Sequence, residues 1–253
     1  MLESYLKNKL KEKDILLMTH IVLGYPSFQD CLAIIETMVE AGVDLMELQI
    51  PFSEPIADGP VILHANQTAL EKGATVQKCL DFAGKITRTF DIPFLFMTYY
   101  NILFKHQIDS FVSYMAEKNL RGAIIPDLPM EEGGEYIQAM EKHGLAPILI
   151  FSPTTSDERM QYLSGFARGF VYCVARKGVT GKHTEFTTQL TDYLSRCRKA
   201  VNLPLAVGFG IKEKADIDFL KGKADIAIIG TQTIKVVEQE GVSSVGAFIK
   251  GLR

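Results

Sequence analysis

The sequence predicts a (β/α)8 barrel, the TIM-barrel architecture, with an extra N-terminal helix. Three observations predict this fold class: eight short apolar runs recur along the chain, amphipathic helical segments separate them, and most runs are spaced by about one strand–helix unit. A doubly wound open sheet shows the same alternation and is the structural alternative. No linker or low-complexity tract divides the chain, so we expect residues 1–253 to form one domain.

The apolar runs are the predicted strands. They are short and mostly apolar throughout, as expected of parallel strands that are buried on both faces. In chain order they are 15–18, 45–48, 94–97, 122–125, 147–150, 170–174, 205–207 and 226–229. The gap between the second and third runs is the longest, and it contains a proline-rich loop at 51–60.

The helices are predicted from apolar residues three and four positions apart. One such segment is 29–41, which ends at Gly42, and others are 109–118 and 131–143, the latter ending at Gly144. An amphipathic segment at 2–13 precedes the first strand. We expect it to cover the bottom of the barrel.

Composition and charge exclude several classes of protein. Lys and Arg total 27 against 30 Asp and Glu, for a net charge of −3, which argues against a nucleic-acid or membrane-surface binder. The apolar runs are too short to span a bilayer and the N-terminus lacks a signal-peptide core, so we expect a cytoplasmic protein. The four cysteines are widely spaced and are expected to be free thiols. The five histidines lack metal-ligand spacing, so we expect no metal and only surface or capping positions for them.

Glycine-bearing loops follow the last three predicted strands, at 178–181, 208–211 and 230–231. In such a barrel function lies in the loops after the carboxyl ends of the strands, and phosphate is frequently held after strands seven and eight. Glycines let backbone N–H groups approach a phosphate, a helix opening at Gly230 adds its dipole, and Thr231 can donate a hydrogen bond. A turn alone would also need glycine. The three loops together predict a site for a phosphomonoester.

Two carboxylates near the second strand are candidates for acid–base chemistry. Glu47 lies within an apolar run, where a charge is costly unless it faces a polar cavity or a partner. Asp58 lies in the adjoining proline-rich loop, and the two suit proton transfer at two atoms of one substrate. A core ion pair for Glu47 and a turn before Gly59 for Asp58 are the alternatives. Tyr172, in strand six, either holds a substrate hydroxyl or is a packed tyrosine.

The segment from Glu47 to Pro60 resembles the signature of the tryptophan synthase alpha subunit family. It reads ELQIPFSEPIADGP, and the family typically reads E-L-G-[IV]-P-F-S-D-P-x-A-D-G-P. Further family motifs fit in order, namely LGYP at 23–26, Asn101, PDLP at 126–129, GVTG at 178–181 and GFGI at 208–211. The resemblance covers nearly the whole chain. It implies a lyase of tryptophan biosynthesis that cleaves indole-3-glycerol phosphate to indole and glyceraldehyde 3-phosphate.

The resemblance also implies roles and a partner. Glu47 would be the acid/base at indole C3 and the glyceryl hydroxyl, Asp58 the acceptor of the indole N–H, and Tyr172 a neighbour of the glycerol chain. The phosphate cradle would consist of Gly181, Gly210, Gly230 and Thr231. The lid and the substrate pocket would include Thr180, Phe209 and Gln49. No cofactor is implied in this chain. The implied partner is a PLP-dependent beta subunit, in an allosteric α2β2 heterotetramer that passes indole onward.

Gln49 departs from the family pattern, which has glycine there. Residues two apart in a strand share a face, so Gln49 points the same way as Glu47 and adds five heavy atoms where an indole would lie. We expect it to hydrogen-bond Glu47 and to weaken the lyase. The alternative function is therefore a catalytically weak regulatory subunit that activates its beta partner.

A Schiff-base aldolase that uses Lys177 or Lys182 is a further alternative. Both lysines lie in a segment, 176–183, that is expected to form a mobile lid, so solvated surface charge explains them better. The resemblance implies that Thr180 contacts Asp58 when this lid closes.

Overall fold

Parallel strands close into a barrel in chain order, with β8 hydrogen-bonded to β1. The computed structural model describes residues 1–174, 188–208 and 210–253. Within them the strands are β1 (Leu16–Val22), β2 (Leu45–Gln49), β3 (Phe94–Met97), β4 (Gly122–Ile124), β5 (Ala146–Phe151), β6 (Val171–Val174), β7 (Leu205–Gly208) and β8 (Ile226–Ile229). The prediction of a (β/α)8 barrel is confirmed, and closure between β1 and β8 excludes the open sheet.

Helices surround the barrel and connect its strands. In the described residues they are α1 (Leu2–Lys9), α2 (Phe28–Glu40), α3 (Pro60–Glu71), α4 (Val76–Thr89), α5 (Tyr100–Lys105), α6 (Ile108–Glu117), α7 (Gly134–Lys142), α8 (Asp157–Ser164), α9 (Thr188–Ala200), α10 (Lys214–Leu220), α11 (Thr231–Glu240) and α12 (Val245–Gly251), with a 3-10 turn at Val242–Ser244. None of them is both long enough and apolar enough to cross a membrane.

The glycine stops predicted for two helices are confirmed. Gly42 and Gly144 adopt φ values of 90° and 68°, in the left-handed region that side chains disfavour. One start is wrong: α7 begins at Gly134 and not at 131. The preceding residues form turns, and the side chain of Glu131 is a partner of Arg159 in α8 instead of a first-turn acid of α7.

Side chains alternate between two cores. One face of each strand packs against the helices, and the other fills the barrel. The barrel filling is made of aliphatic and aromatic side chains from all eight strands, among them Leu16, Met18, Leu45, Leu95, Met97, Ile124, Ile148, Phe170, Ala206, Ile226 and Ile228. This filling makes the barrel a packed body whose open end alone is available for chemistry.

The amino-terminal helix closes the bottom of the barrel, as predicted. Leu2 and Leu6 of α1 are buried and belong to the same cluster as the barrel filling. The backbone of Gly169 approaches so closely that a Cβ there would lie 2.8 Å from Cδ2 of Leu2. The helix itself is shorter than the predicted segment, because turns replace it after Lys9.

A buried carboxylate fastens this bottom end. Asp44, which is 3% exposed, accepts a hydrogen bond of 2.9 Å from the backbone N–H of Leu17. Lys13 and Arg253 donate to the same carboxylate, Arg253 at 2.9 Å. The start of β2, the start of β1, the segment after α1 and the carboxyl terminus therefore meet on one side chain.

We expect Asp44→Ala to lower the free energy of unfolding by about 2 to 4 kcal/mol, because it leaves a buried N–H and two cations without their acceptor. Urea denaturation at neutral pH measures the change. Asp109→Ala is the control, since Asp109 binds Lys142 and His143 on the surface and should change stability little. Equal effects of the two substitutions would contradict this role for Asp44.

Candidate active site

The polar end of the barrel interior lies at the carboxyl ends of β1 and β2. Parallel pairing sets His20 beside Glu47 and Val22 beside Gln49. His20 follows Leu16 and Met18 by alternation, and Glu47 and Gln49 follow Leu45, so these side chains continue the inward faces of both strands. His20, Glu47 and Gln49 are 3%, 2% and 0% exposed.

Glu47 is paired with a histidine. Oε1 of Glu47 lies 2.6 Å from Nδ1 of His20. Burial lowers the pKa of His20, but the adjacent Glu47 carboxylate, together with Asp58 and Gln49, outweighs it, and the net pKa lies above the ordinary value of 6.5. The imidazole is therefore a partner for the buried charge that apolar neighbours could not provide.

Gln49 contacts the other candidate carboxylate. Its Nε2 donates to Oδ2 of Asp58 at 2.6 Å. The expectation that Gln49 bonds Glu47 is wrong, because His20 takes Oε1 of Glu47 while the amide turns toward the loop. Gln49 shares a strand face with Glu47, but its amide reaches over the mouth and not back along the strand.

The loop that carries Asp58 is fixed by its surroundings. The backbone N–H of Phe52 donates to Oδ1 of the buried Asn66 in α3 at 2.9 Å, and the Phe52 ring stacks on Tyr99 with centroids 4.9 Å apart. The hydroxyl of Tyr99 accepts from the N–H of Ala57 and donates to Oδ2 of Asp58, both at 3.2 Å. The carboxylate is thus held over the mouth by groups from β2, α3 and the end of β3.

The position of Asp58 is unfavourable for a charged carboxylate. Burial raises the pKa of its carboxyl above the ordinary value of 3.8, although His20, Gln49 and Tyr99 each lower it in part. Both hydrogen bonds that it accepts from side chains fall on Oδ2. Its other oxygen, Oδ1, is available to a donor on a ligand.

Tyr172 faces the same mouth from β6. Burial raises its pKa, and the charges of Glu47 and Asp58 raise it further. The ring lies directly on the backbone of β7: a Cβ on Gly208 would be 2.5 Å from Cε1 of Tyr172. Glycine at 208 is therefore required for this tyrosine to occupy its position.

Of the three predicted phosphate loops, 208–211 is described except for residue 209, and 230–231 is described in full. Gly210 follows β7 with a φ of 89°, a conformation that favours glycine. Gly230 is the N-cap of α11, whose first residue is the exposed Thr231. Because α11 follows β8 directly, its amino-terminal end lies at the carboxyl-terminal end of the barrel strands, where an anion site is expected.

Other predicted site residues lie outside the described residues, so they stay predictions. They are Gly181 of the phosphate cradle, Thr180 and Phe209 of the lid and pocket, the remainder of the segment 176–183, and the two candidate Schiff-base residues Lys177 and Lys182.

Sequence reasoning missed His20 and Tyr99. All histidines were expected at surface or capping positions, which is wrong for His20 because its strand turns it into the barrel. Alternation from Leu16 and Met18 already placed His20 on the inward face, but its pairing with Glu47 depends on the register of β1 against β2. For Tyr99, which follows β3 directly, no comparable signal existed.

Several buried polar atoms at the mouth lack a hydrogen-bond partner among the described residues. They include Oε2 of Glu47, and also Nε2 of His20 and Oε1 of Gln49, although Gln49 lies close enough to His20 to raise its pKa. Unpaired buried polar atoms cost stability, and their concentration here indicates a place that a polar ligand completes. In the described part of the chain no group of His, Cys, Asp and Glu has the arrangement of a metal site, and the four cysteines are free and buried.

Known proteins are similar to this chain in sequence and in fold. The family model for the tryptophan synthase alpha chain matches residues 6–248. The chain is 64% identical over 252 residues to the tryptophan synthase alpha chain of Desulforapulum autotrophicum, and 59% identical over 253 residues to that of Syntrophotalea carbinolica. Both alignments cover 100% of either chain.

Solved structures agree. Tryptophan synthase of Mycobacterium tuberculosis superposes with a TM-score of 0.91 at 28% identity, covering 99% of this chain and 96% of that chain. A chain of the Pyrococcus furiosus tryptophan synthase α2β2 complex superposes with a TM-score of 0.87 at 26% identity, covering 94% and 97%. The similarity therefore includes the strands and loops that form the mouth.

The raised pKa of Asp58 predicts a stability gain from neutralisation. A carboxyl with a raised folded-state pKa destabilises the fold as pH rises above its unfolded value near 3.8. We therefore expect Asp58→Asn, which keeps an acceptor for Gln49 and Tyr99, to unfold at a higher urea concentration than the wild type at pH 7. The difference should vanish as the pH falls below about 4.

The control for this prediction is Asp109→Asn. Hydrogen bonds from Lys142 and His143 hold the pKa of Asp109 below its ordinary value, so its neutralisation should bring no gain. If Asp58→Asn is less stable than the wild type at pH 7, the carboxylate is not the strained group described here.

Proposed function

Since the chain belongs to the tryptophan synthase alpha chain family, we propose that the mouth formed by β1, β2 and β6 is its lyase site. The family reaction is a retro-aldol cleavage of indole-3-glycerol phosphate to indole and glyceraldehyde 3-phosphate, a carbon–carbon lyase step of tryptophan biosynthesis. The observation that carries the assignment is two buried carboxylates at one mouth, each with an oxygen left for a ligand.

Glu47 is the proposed acid/base. A proton delivered to indole C3 leaves positive charge on the ring nitrogen, and removal of the proton from the glyceryl hydroxyl then drives cleavage of the bond between C3 and the glyceryl carbon. The bonding electrons return to the ring, and the hydroxyl carbon becomes the aldehyde of glyceraldehyde 3-phosphate. One carboxylate that gives a proton and then takes one suffices for both steps.

Asp58 is the proposed partner of the ring nitrogen. Its carboxylate accepts the indole N–H and stabilises the positive charge that forms there. Because its two side-chain hydrogen bonds fall on Oδ2, Oδ1 is the oxygen assigned to this contact. Tyr172, whose ring packs on Gly208 of β7 and whose pKa both carboxylates raise, is the proposed neighbour of the glycerol chain.

The phosphate is proposed to lie at the opposite side of the mouth. Gly210, Gly230 and Thr231 offer backbone N–H groups, the amino-terminal end of α11 and a hydroxyl. Gly181 completes this proposed set, and Thr180 and Phe209 are the proposed lid and pocket residues.

The proposed partner is a beta subunit in an α2β2 heterotetramer, which would carry PLP and consume the indole. The Pyrococcus furiosus relative is described as such a complex. Around the mouth, Ile56 in the loop after β2 and Phe104 in α5 are 70% and 64% exposed, apolar side chains of the kind that a protein partner covers. The chain itself is proposed to act without a cofactor.

A weak lyase that mainly regulates its partner is the second candidate. The observation in its favour is Gln49, which is fully buried at the mouth and occupies Oδ2 of Asp58. An error of about 1 Å in substrate position can reduce the rate on the order of 100-fold. However, Gln49 leaves Glu47 and Oδ1 of Asp58 unobstructed by hydrogen bonds, so we favour the working lyase.

We expect the wild type, with saturating beta subunit, to cleave indole-3-glycerol phosphate at least as fast as Gln49→Gly, because the glycine variant loses the amide that orients Asp58. Glu47→Gln should lose at least about 100-fold in kcat with little change in KM. Indole release measures both. A glycine variant faster than the wild type would favour the regulatory candidate, and an active Glu47→Gln would exclude Glu47 as the acid/base.

We expect Gly210→Val to abolish binding of glycerol phosphate, because a side chain there both strains the backbone and fills the space that a phosphate needs. Isothermal calorimetry measures the affinity. Gly222→Val is the matched control: Gly222 also has a positive φ, 75°, but lies between α10 and β8 at the bottom of the barrel. Retained affinity in Gly210→Val would remove this loop from the phosphate site.

A further inference from the structure

We propose that His20 is a positioning residue of the lyase site, which holds Oε1 of Glu47 and carries the proton that Glu47 delivers to the substrate. The inference rests on the proposed function, and it adds a residue that the resemblance does not assign. His20 would act through Glu47 and need not touch the substrate itself.

The first step is the geometry of the pair. His20 and Glu47 are register partners on neighbouring parallel strands, and their side chains meet at 2.6 Å between Nδ1 and Oε1. Both side chains are more than nine-tenths buried, so water cannot replace either partner. A histidine with these constraints holds one carboxylate oxygen in a fixed direction and leaves the other, Oε2 of Glu47, without a partner among the described residues.

The second step is the surroundings of the imidazole. Two charged groups act on the imidazole, Glu47 from β2 and Asp58 from the loop after β2. The same two carboxylates raise the pKa of Tyr172 in β6. The β8 side presents Gly230, whose added Cβ would lie 3.4 Å from Cβ of His20. The charged groups that act on the ring, Glu47 and Asp58, are both acidic.

The third step is the number of protons. Acidic neighbours outweigh burial and raise the pKa of His20, so the pair holds its shared proton to a higher pH than a free histidine would. A lone Glu47 would have to be protonated itself before it could act as an acid. The pair instead holds that proton on the histidine and transfers it through the 2.6 Å hydrogen bond.

The proton balance closes over one turnover. Nδ1 of His20 gives its proton to Oε1 of Glu47, and the carboxyl gives a proton to indole C3, which leaves neutral imidazole and carboxylate. Glu47 then takes the proton of the glyceryl hydroxyl as the carbon–carbon bond breaks. That proton returns to His20, and the pair is restored without a net change.

The experiment compares His20→Asn and His20→Phe with the wild type. The asparagine Nδ2 can replace Nδ1 as a donor to Glu47 but stores no proton, whereas phenylalanine keeps the bulk and removes the donor. We expect both variants to lose roughly ten- to hundredfold in kcat at pH 7.5 with little change in KM, and to lack the fall in kcat with rising pH that deprotonation of His20 produces in the wild type. The assay is indole release from indole-3-glycerol phosphate with saturating beta subunit.

Thr19→Val is the control for folding and packing. Thr19 precedes His20 in β1, is also fully buried, and points to the other face of the strand. It should keep the wild-type pH profile. A wild-type rate and profile in His20→Asn would overturn the proton-carrying role, since hydrogen bonding alone would then suffice.

An NMR titration separates this inference from the proposed function. With ring-labelled histidine, the signal lost in His20→Asn identifies His20. We expect its pKa to lie above 6.5 in the wild type and to fall in Glu47→Gln, where only Asp58 and Gln49 still oppose the effect of burial. If the wild type cleaves no substrate but His20 titrates in this way, the proposed function fails and the pair stands. If His20 titrates identically in both proteins, the pair is refuted whatever the activity.

Discussion

A carboxylate buried inside a barrel of aliphatic side chains is the constraint on which the mouth depends. Glu47 stands one layer above Leu45 on β2, and moving its charge there from water is costly unless a partner compensates. The partner is His20, which the parallel register of β1 and β2 places at the same level. A slip by one residue would turn His20 toward the helices and leave the acid alone, so chemistry and strand pairing are tied to one another.

The buried carboxylates at the two ends of the barrel differ in how completely they are hydrogen-bonded. At the bottom, Asp44 has a backbone N–H, Lys13 and Arg253 around it, and the carboxylate is fully used for structure. At the mouth, Glu47 has one partner for two oxygens, and the pKa of Asp58 is raised by burial. An unsatisfied acceptor is unfavourable for folding but favourable for a ligand that brings a donor, which is why stability and function are concentrated at different ends.

The sequence predicts the repeating part of this fold well, because periodicity and glycine stops are local properties. Strand and helix order, the covering role of α1, and the left-handed glycines at 42 and 144 followed from patterns within a few residues. The start of α7 did not, because Glu131 finds Arg159 across the surface and no local pattern reports that contact. Likewise the motif around Glu47 and Asp58 was visible, but the partners of both, His20 and Tyr99, come from other strands and depend on register.

Gln49 shows why a single departure from a motif is hard to interpret without its neighbours. Taken with Glu47 alone, a glutamine in place of glycine is an obstruction and a competing hydrogen-bond donor. In the structure its amide donates to Asp58, and Gln49 also helps to raise the pKa of His20. One residue therefore acts on Asp58 directly and on Glu47 through its partner His20. Glu47, His20, Gln49 and Asp58 therefore form one electrostatically connected group. Within such a group a change at one carboxylate alters the proton affinity of the other, and the effect of replacing Gln49 depends on whether His20 is present to receive it.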